Sequence, residues 1–279
     1  MTVALLFPGQ GVQDPAHEAL VREAAPDLLD IAQAQVGADL FARCGESTRF
    51  AQPAIVLASL AAWRGRGERD DAVAYAGHSL GELPALAAAG AMSETAAVRL
   101  AVVRGELMAR AAERRPGGGM LAVLGGTPEQ AQELAAGHGL VLANDNAPGQ
   151  LVFAGAQDGI DAARRAARGH GLRALELDVA GAFHSPQMQP ARRAFAGALA
   201  AVPWATPRAP VFSGLTAAPF TDPVRELAAA VVAPVRWRET LLALHAAGVR
   251  RFVDVGPGEV LARLVDRTLE EPRGVAAAA

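Results

Sequence analysis

The pentapeptide GHSLG at Gly77–Gly81 places one serine between two glycines, after the strand-like run AVAYAG and before an apolar helical run. This G-x-S-x-G pattern is typical of a strand–turn–helix that exposes a nucleophilic serine. The two glycines remove Cβ atoms that would clash in so sharp a turn, and the helix N-terminus favours negative charge developing beside the serine. The pattern predicts Ser79 as a nucleophile, with a helix-capping serine as the alternative.

A serine nucleophile needs a general base, and the chain contains six histidines. His78 adjoins the turn, where packing is its expected role, and four others lie in polar or helical contexts: His17, His138, His170 and His245. His184 follows a strand in the glycine-containing loop DVAGAFHSPQM, at the predicted junction of two domains, where a cleft is expected. His184 is therefore the candidate base, although this local pattern equally fits a structural histidine.

The helix predicted to begin after Ser93 carries an arginine within its apolar face. The apolar residues at helical spacing are Leu100, Val103, Leu107 and Ala111. At about 100° per residue, Arg104 falls inside this stripe and Arg99 falls on the opposite face. Burying a guanidinium is costly unless an anion meets it. The pattern predicts either a bidentate clamp for a substrate carboxylate, or an internal acidic partner or a side chain that reaches the surface.

Composition narrows the class of protein. Of 279 residues, 51% are apolar and 20% are charged, which is typical of a globular protein. No apolar run reaches about 18 residues, and the start lacks the features of a signal peptide, so no membrane association and a cytoplasmic location are expected. The net charge of −3 does not indicate nucleic-acid binding. The single cysteine, Cys44, excludes an internal disulfide and a cysteine-based metal site.

The order of predicted elements indicates an α/β fold with two domains. Helical patterns alternate with four runs predicted as buried strands, VALLF, AVAYAG, PVFSG and RFVDVG, which favours a parallel sheet covered by helices. From Met120 onwards the order is βαββαβ, the pattern of a ferredoxin-like subdomain. We therefore predict an α/β-hydrolase-like large domain (1–116 and 185–279) with an inserted small domain (117–184). Gly117–Gly119 is the expected entry hinge, and the tail EEPRGVAAAA is expected to fray.

Six motifs, in order along the chain, together resemble the malonyl-CoA:acyl-carrier-protein transacylase family, which includes the acyltransferase units of polyketide synthases. The resemblance extends from Leu5 to about Leu264. The motifs are PGQG at Pro8–Gly11, GHSLGE at Gly77–Glu82, RGELM from Arg104 to Met108, NDNAPGQLVFAG at Asn144–Gly155, FHSPQM at Phe183–Met188 and VGPG at Val255–Gly258.

The resemblance implies a role for each matching residue. Ser79 would be the nucleophile, His184 its base and Arg104 the ligand of the malonyl carboxylate. The family's oxyanion hole maps to the backbone N–H groups of Gln10 and Leu80, and its substrate-binding positions map to Met108, Phe183 and Asn146. The family orients its histidine through a backbone carbonyl that maps to Ala230, where the usual Gln or Asn is replaced. The segment between Gly11 and Gln52 looks shortened, which would reshape the rim of the cleft.

The implied reaction is malonyl transfer from malonyl-CoA to the phosphopantetheine thiol of an acyl carrier protein. It needs no metal and no bound cofactor. Phe183 before the histidine resembles malonyl-specific polyketide acyltransferases, and a free-standing chain of 279 residues is then expected to be a discrete, trans-acting one, although fatty-acid supply stays open. Alternatives are transfer of another acyl group between carrier proteins, a serine hydrolase using the same turn, and an inactive carrier-binding scaffold. We expect a monomer whose carrier docks on arginines near the cleft, for which Arg164, Arg165 and Arg168 are candidates; a solvated helix face is the alternative.

Overall fold

A computed structural model of the chain describes residues 2–66, 72–256 and 258–269. Two sheets organise these residues, one of five strands and one of four. The predicted fraying tail at 270–279 and Pro257 of the VGPG motif lie outside the described residues. None of the helices in the described ranges is long and apolar enough to cross a membrane.

The large sheet has the strand order β8-β7-β2-β1-β9. Four of its strands run parallel and β8 pairs antiparallel with β7, which confirms the predicted α/β class. The strands are β1 (Val3–Phe7), β2 (Ala72–Gly77), β7 (Val211–Ser213), β8 (Ala218–Pro219) and β9 (Arg251–Asp254). The central strand β1 is buried along its length. The prediction of a buried β9 is wrong in part, because β9 lies at the sheet edge and is only half-buried.

Helices cover both faces of this sheet. They are α1 (His17–Ala24), α2 (Pro26–Val36), α3 (Thr48–Arg64), α4 (Glu82–Ala88), α5 (Glu94–Glu113), α8 (Gln189–Ala200), α9 (Pro223–Ala230), α10 (Trp237–Ala246) and α11 (Val260–Leu269). The sequence patterns did not delimit α8 and α9. Each of these two helices has proline in its first turn, which fits a helix start because proline has no N–H to leave unpaired there.

The four-stranded sheet belongs to the βαββαβ segment. Its elements are β3 (Gly118–Leu124), α6 (Pro128–Ala136), β4 (Val141–Ala147), β5 (Gln150–Ala156), α7 (Gln157–Ala166) and β6 (Arg173–Leu177). The order β4-β5-β3-β6, antiparallel throughout, is the ferredoxin-like arrangement that the sequence predicts. Gly118 and Gly119 belong to β3, so only Gly117 of the predicted hinge lies outside the strand. The division of the chain at 117 and 184 stays a prediction.

The alternation of side chains along β3 decides which face of the small sheet meets the large domain. Met120 and Ala122 join the main hydrophobic core, whereas Leu121 and Val123 pack in a separate core with residues of α6 and α7. Helix α7 therefore lies on the face of the sheet turned away from the large domain. Arg164 and Arg165 are on α7 and Arg168 is on the 3₁₀ turn that follows it, so the expectation that the carrier protein docks on these arginines near the cleft stays a prediction.

Candidate active site

The serine turn forms as the glycine spacing predicts. Ser79 has φ 52°, a left-handed conformation that is uncommon for a residue with a side chain. A Cβ on Gly77 would lie 2.0 Å from the carbonyl carbon of Gly81, and a Cβ on Gly81 would lie 2.0 Å from the Phe7 carbonyl oxygen. Only glycine fits at these two positions. The tight turn holds Ser79 at the carboxyl end of β2, at the start of a 3₁₀ turn that leads into α4.

His184 contacts the serine from the other side of the site. The Ser79 Oγ lies 2.8 Å from His184 Nε2. The other ring nitrogen, Nδ1, faces two carbonyl oxygens, those of Ala230 at 2.8 Å and Ala233 at 3.1 Å. Carbonyl oxygens only accept hydrogen bonds, so Nδ1 carries the hydrogen and Nε2 is free to accept the serine proton. His184 also has a left-handed φ of 57°, and the Ser185 hydroxyl braces its loop by donating to Ala182 O at 2.6 Å.

Arg104 reaches the same serine from α5 and is only 6% exposed. Its Nη2 donates to Ser79 Oγ at 3.0 Å, and its Nη1 donates to Gln52 Oε1 at 2.8 Å. Within the described ranges, no carboxylate forms a salt bridge with its nitrogens, and the acidic group that acts on it, the buried Glu82, does so from more than 4 Å away. The stripe drawn from sequence is displaced around the helix. Ala101 and Met108, which share the face of Arg104, are buried, whereas Val103 and Leu107 are half-buried.

These groups open into one cleft of about 410 Å³. The small domain contributes part of the wall through Met120, Val152 and Leu177. The cleft is lined by all the positions that the resemblance assigns to the nucleophile, the base, the oxyanion hole and the substrate. They are Gln10, Ser79, Leu80, Arg104, Met108, Asn146, Phe183 and His184. The structure thus brings the predicted site residues together at the junction of the two sheets, and Ala230 joins them through its carbonyl behind His184.

Comparison with known proteins agrees with this geometry. The acyl transferase domain family matches residues 6–279 of the chain. The chain belongs to the acyl transferase domain family. It is 40% identical over 292 residues to the polyketide biosynthesis protein ThaF of Burkholderia thailandensis, covering 99% of this chain and 25% of ThaF, so it spans a quarter of the length of that relative.

Two further relatives match this chain along nearly their whole length. The malonyl CoA-acyl carrier protein transacylase of Bacillus subtilis is 35% identical over 291 residues, with 95% of this chain and 90% of that protein covered. A solved complex of a type II PKS acyl-carrier protein with its malonyl-transacylase superposes with a TM-score of 0.86 at 32% identity, covering 96% of this chain and 93% of that chain. The fold of this chain is therefore that of its solved relative.

The charges in the site favour a neutral histidine. Burial and, after it, the positive charge of Arg104 lower the pKa of His184 to about 4, against the opposing effect of the two backbone carbonyls. Burial also lowers the pKa of Arg104, to about 10, so its guanidinium stays charged at neutral pH. The buried Glu82 has its pKa raised by burial to about 8, and its Oε1 accepts from Gly214 N–H at 2.7 Å. The cleft therefore holds a fixed cation beside a base that is unprotonated at neutral pH.

Four contributors to the site were missed from sequence. Gln52 and Thr48, on the first turns of α3, connect Arg104 to Gln10 through hydrogen bonds. Ala233 supplies the second carbonyl behind His184. His78, expected only to pack, lines the cleft and lies 2.8 Å from Asn146 Oδ1 through its Nε2. Gln52 carried a usable signal, because a glutamine inside the otherwise apolar run AQPAIVLASLAAW requires a polar partner if buried.

The described residues contain no cluster of side chains suited to bind a metal ion. Over residues 2–66, 72–256 and 258–269, no group of three or more His, Cys, Asp or Glu side chains has the arrangement of a metal site. The expectation that the reaction needs neither metal nor bound cofactor stays a prediction.

Proposed function

We propose that this chain is a malonyl-CoA:acyl-carrier-protein transacylase that works through a malonyl-Ser79 intermediate. The observation that carries the proposal is the position of Arg104, a buried cation without a carboxylate partner in the described structure, 3.0 Å from the serine oxygen. A thioester whose acyl group ends in a carboxylate satisfies that cation and presents its carbonyl to Ser79. The Bacillus subtilis relative and the malonyl-transacylase in the solved carrier complex are named for this activity.

In the first half-reaction, His184 Nε2 takes the Ser79 proton as the oxygen attacks the malonyl thioester carbon. The carbonyl oxygen becomes an oxyanion, which the backbone N–H groups of Gln10 and Leu80 stabilise beside the serine. The tetrahedral intermediate collapses, the carbon–sulfur bond breaks and CoA leaves with the proton from His184. The malonyl ester stays on Ser79 with its free carboxylate on Arg104.

In the second half-reaction, the phosphopantetheine thiol of the carrier protein replaces CoA. His184 takes the thiol proton, the sulfur attacks the ester carbon and the same oxyanion site is used again. Collapse breaks the ester bond and returns the proton to Ser79. Because the two thiols use one site in turn, the kinetics are ping-pong.

The cleft also supports a preference for malonyl over methylmalonyl groups. Phe183 is buried and lines the cleft next to His184, so its ring occupies space that an α-methyl group needs. One methyl group in a pocket discriminates roughly 10- to 200-fold. The ratio of kcat/KM for malonyl-CoA to that for methylmalonyl-CoA measures this preference, and a ratio of one or less contradicts it.

The setting of the reaction follows from the relatives. We infer a trans-acting acyltransferase that loads a carrier protein for polyketide or fatty-acid biosynthesis in the cytoplasm. The similarity to ThaF supports the polyketide setting, and the similarity to the Bacillus subtilis transacylase is compatible with either. We propose that the chain works as a monomer with no bound cofactor, with CoA as a product and phosphopantetheine carried by the partner.

Intact-mass spectrometry after incubation with malonyl-CoA tests the proposal directly. The wild-type chain gains the mass of one malonyl group, Ser79→Ala gains none, and added holo carrier protein removes the adduct and becomes malonylated. Free malonate without loaded carrier identifies a hydrolase. No adduct on the wild-type chain identifies a carrier-binding scaffold. Either result overturns the proposal.

A further inference from the structure

A continuous chain of hydrogen bonds links Arg104 to Gln10 beneath the cleft. Arg104 Nη1 donates to Gln52 Oε1 at 2.8 Å, and Gln52 Nε2 donates to Thr48 Oγ1 at 2.9 Å. Thr48 Oγ1 in turn donates to Gln10 Oε1 at 2.9 Å. Gln52 is fully buried and Thr48 is 7% exposed. The threonine hydroxyl therefore joins the group that binds the acyl carboxylate to the loop that carries Gln10.

Arg104, at the start of this series of hydrogen bonds, fixes which group donates and which accepts in each of them. A guanidinium only donates, so Gln52 must present its oxygen to Arg104 and its NH₂ group to Thr48. The Thr48 oxygen then accepts from Gln52, which leaves its one hydrogen to donate, and Gln10 must present its oxygen. Alternative amide orientations leave a buried donor facing a donor, an arrangement that costs free energy.

Within the described residues, Thr48 is the only hydrogen-bond partner of the Gln10 side chain. Gln10 follows β1 in the PGQG loop, is half-buried and lines the cleft. We propose that Thr48 is a positioning residue, whose hydroxyl holds Gln10 so that the Gln10 backbone N–H points at the developing oxyanion. This inference rests on the proposed function and adds to it a residue outside the motifs that carry the family resemblance.

Thr48 acts on the thioester carbonyl and not on the carboxylate clamp. Arg104 keeps its bond to Ser79 and its buried position on α5 when the threonine hydroxyl is removed. Gln52 Nε2 keeps a second contact, 3.4 Å from Met108 Sδ. Gln10 has no such substitute among the described residues. Loss of the hydroxyl therefore slows acylation by any acyl-CoA, whether or not the acyl group carries a charge.

Single-turnover acylation of the full chain tests this. Rapid quench followed by intact-mass spectrometry gives the maximal acylation rate and the half-saturating concentration for malonyl-CoA and, separately, for acetyl-CoA. Thr48→Val removes the hydroxyl and keeps the shape, Thr48→Ala is the smaller substitute if the valine variant misfolds, and Thr48→Ser restores the hydroxyl. Ser47→Ala is the matched control, because Ser47 caps the same end of α3 through Arg49 N–H and lies outside the chain of bonds.

We expect Thr48→Val to lower the maximal rate about tenfold with both substrates and to change the half-saturating concentration by less than about twofold. Thr48→Ser restores the wild-type rate, and Ser47→Ala lowers only thermal stability. The inference is overturned by wild-type rates in Thr48→Val, by a loss confined to malonyl-CoA, or by an equal loss in Ser47→Ala. Absence of acylation in the wild-type chain instead refutes the proposed function.

Discussion

Two arginines on helices of the large domain are used in opposite ways. Arg238, on α10, makes a bidentate contact with Asp145 on β4, through Nε to Oδ1 at 3.0 Å and Nη2 to Oδ2 at 2.7 Å. Arg104 hydrogen-bonds only to neutral groups in the described structure, the Gln52 amide oxygen and the Ser79 hydroxyl. Yet Arg104 is 6% exposed, and the Arg238 side chain is 34% exposed. The more deeply buried arginine, Arg104, is therefore the one that has no hydrogen-bonded carboxylate.

This contrast separates a structural cation from a binding cation. Arg238 joins the small domain to the segment that follows Ala233, together with two backbone bonds, from Asp145 N–H to Val235 O and from Val235 N–H to Ala143 O. That pair completes its charge balance inside the chain. The charge of Arg104 is neutralised only when a substrate carboxylate binds. Its burial therefore lowers the stability of the free protein and strengthens recognition of malonyl groups.

Removing the binding cation has the largest expected effect. Arg104→Ala lowers kcat/KM for malonyl-CoA roughly 10²- to 10³-fold, since truncating one partner of a buried, hydrogen-bonded charge pair costs several kcal/mol. Acetyl-CoA lacks the carboxylate, so its acylation rate falls far less and the malonyl preference collapses. Arg99→Ala, on the exposed face of the same helix, is the control. Unchanged malonyl kinetics would show that Arg104 does not bind the carboxylate.

Removing the structural cation is expected to reduce stability. Arg238→Ala leaves Asp145, whose side chain is only 11% exposed, without its partner, and lowers the free energy of unfolding by about 1–3 kcal/mol. Arg236→Ala breaks an exposed ion pair with Glu239 three residues away and costs less than about 1 kcal/mol. Urea denaturation measures both variants. If Arg238→Ala reduces malonyl-CoA turnover as much as Arg104→Ala does, the two arginines do not have separate roles.

The two arginines also differ in their effect on His184. Arg104 contributes to the lowered pKa of His184, after burial, so wild-type kcat/KM for acetyl-CoA stays level through neutral pH and declines as pH falls towards about 4, where the base becomes protonated. In Arg104→Ala this acidic decline of kcat/KM, the acidic limb, moves to higher pH, because the positive charge that opposed protonation of His184 is gone. Burial persists, so the limb stays below the usual histidine value of 6.5. Arg238→Ala leaves the limb in place, and a limb that does not move in Arg104→Ala would refute the coupling.

The sequence predicted those parts of the site that leave a local pattern. Ser79 is marked by glycine spacing and Arg104 by its place on an apolar stripe, while His184 needed the resemblance to stand out from five other histidines. Thr48 and Gln52 were missed because their contacts depend on how α3 packs against α5, which no local spacing encodes. Ala230 and Ala233 act through carbonyl oxygens, which every residue type provides.

The same limit applies to the arginines of the small domain, whose place near the cleft stays a prediction. Charge spacing along α7 shows that Arg164 and Arg165 are solvated, but not which face of the sheet the helix covers. That face is decided by the alternation of β3, where Leu121 and Val123 face the helices and Met120 faces the cleft. Arg164 is moreover within ion-pair distance of Asp161 and Glu176, so its charge is partly neutralised within the small domain.

The smallest expected effect concerns Glu82, whose charge acts on Arg104. Burial raises the pKa of Glu82 to about 8, against the lowering influence of Gly214 N–H and of Arg104, so the carboxyl is mostly protonated at pH 7. Glu82→Gln keeps the acceptor for Gly214 N–H and changes the KM for malonyl-CoA at pH 7 by less than about twofold. Above pH 8 the wild-type Glu82 carboxyl ionises, and its negative charge competes with the malonyl carboxylate for interaction with Arg104.

The variants should therefore separate in alkaline solution. The KM for malonyl-CoA rises above pH 8 in the wild-type chain and stays level in Glu82→Gln, whereas the KM for acetyl-CoA is level in both. A rise of equal size in the two proteins assigns the alkaline limb to another group. A large change in KM at pH 7 would mean that Glu82 is already ionised there, and then Arg104, like Arg238, has an acidic counterpart inside the chain.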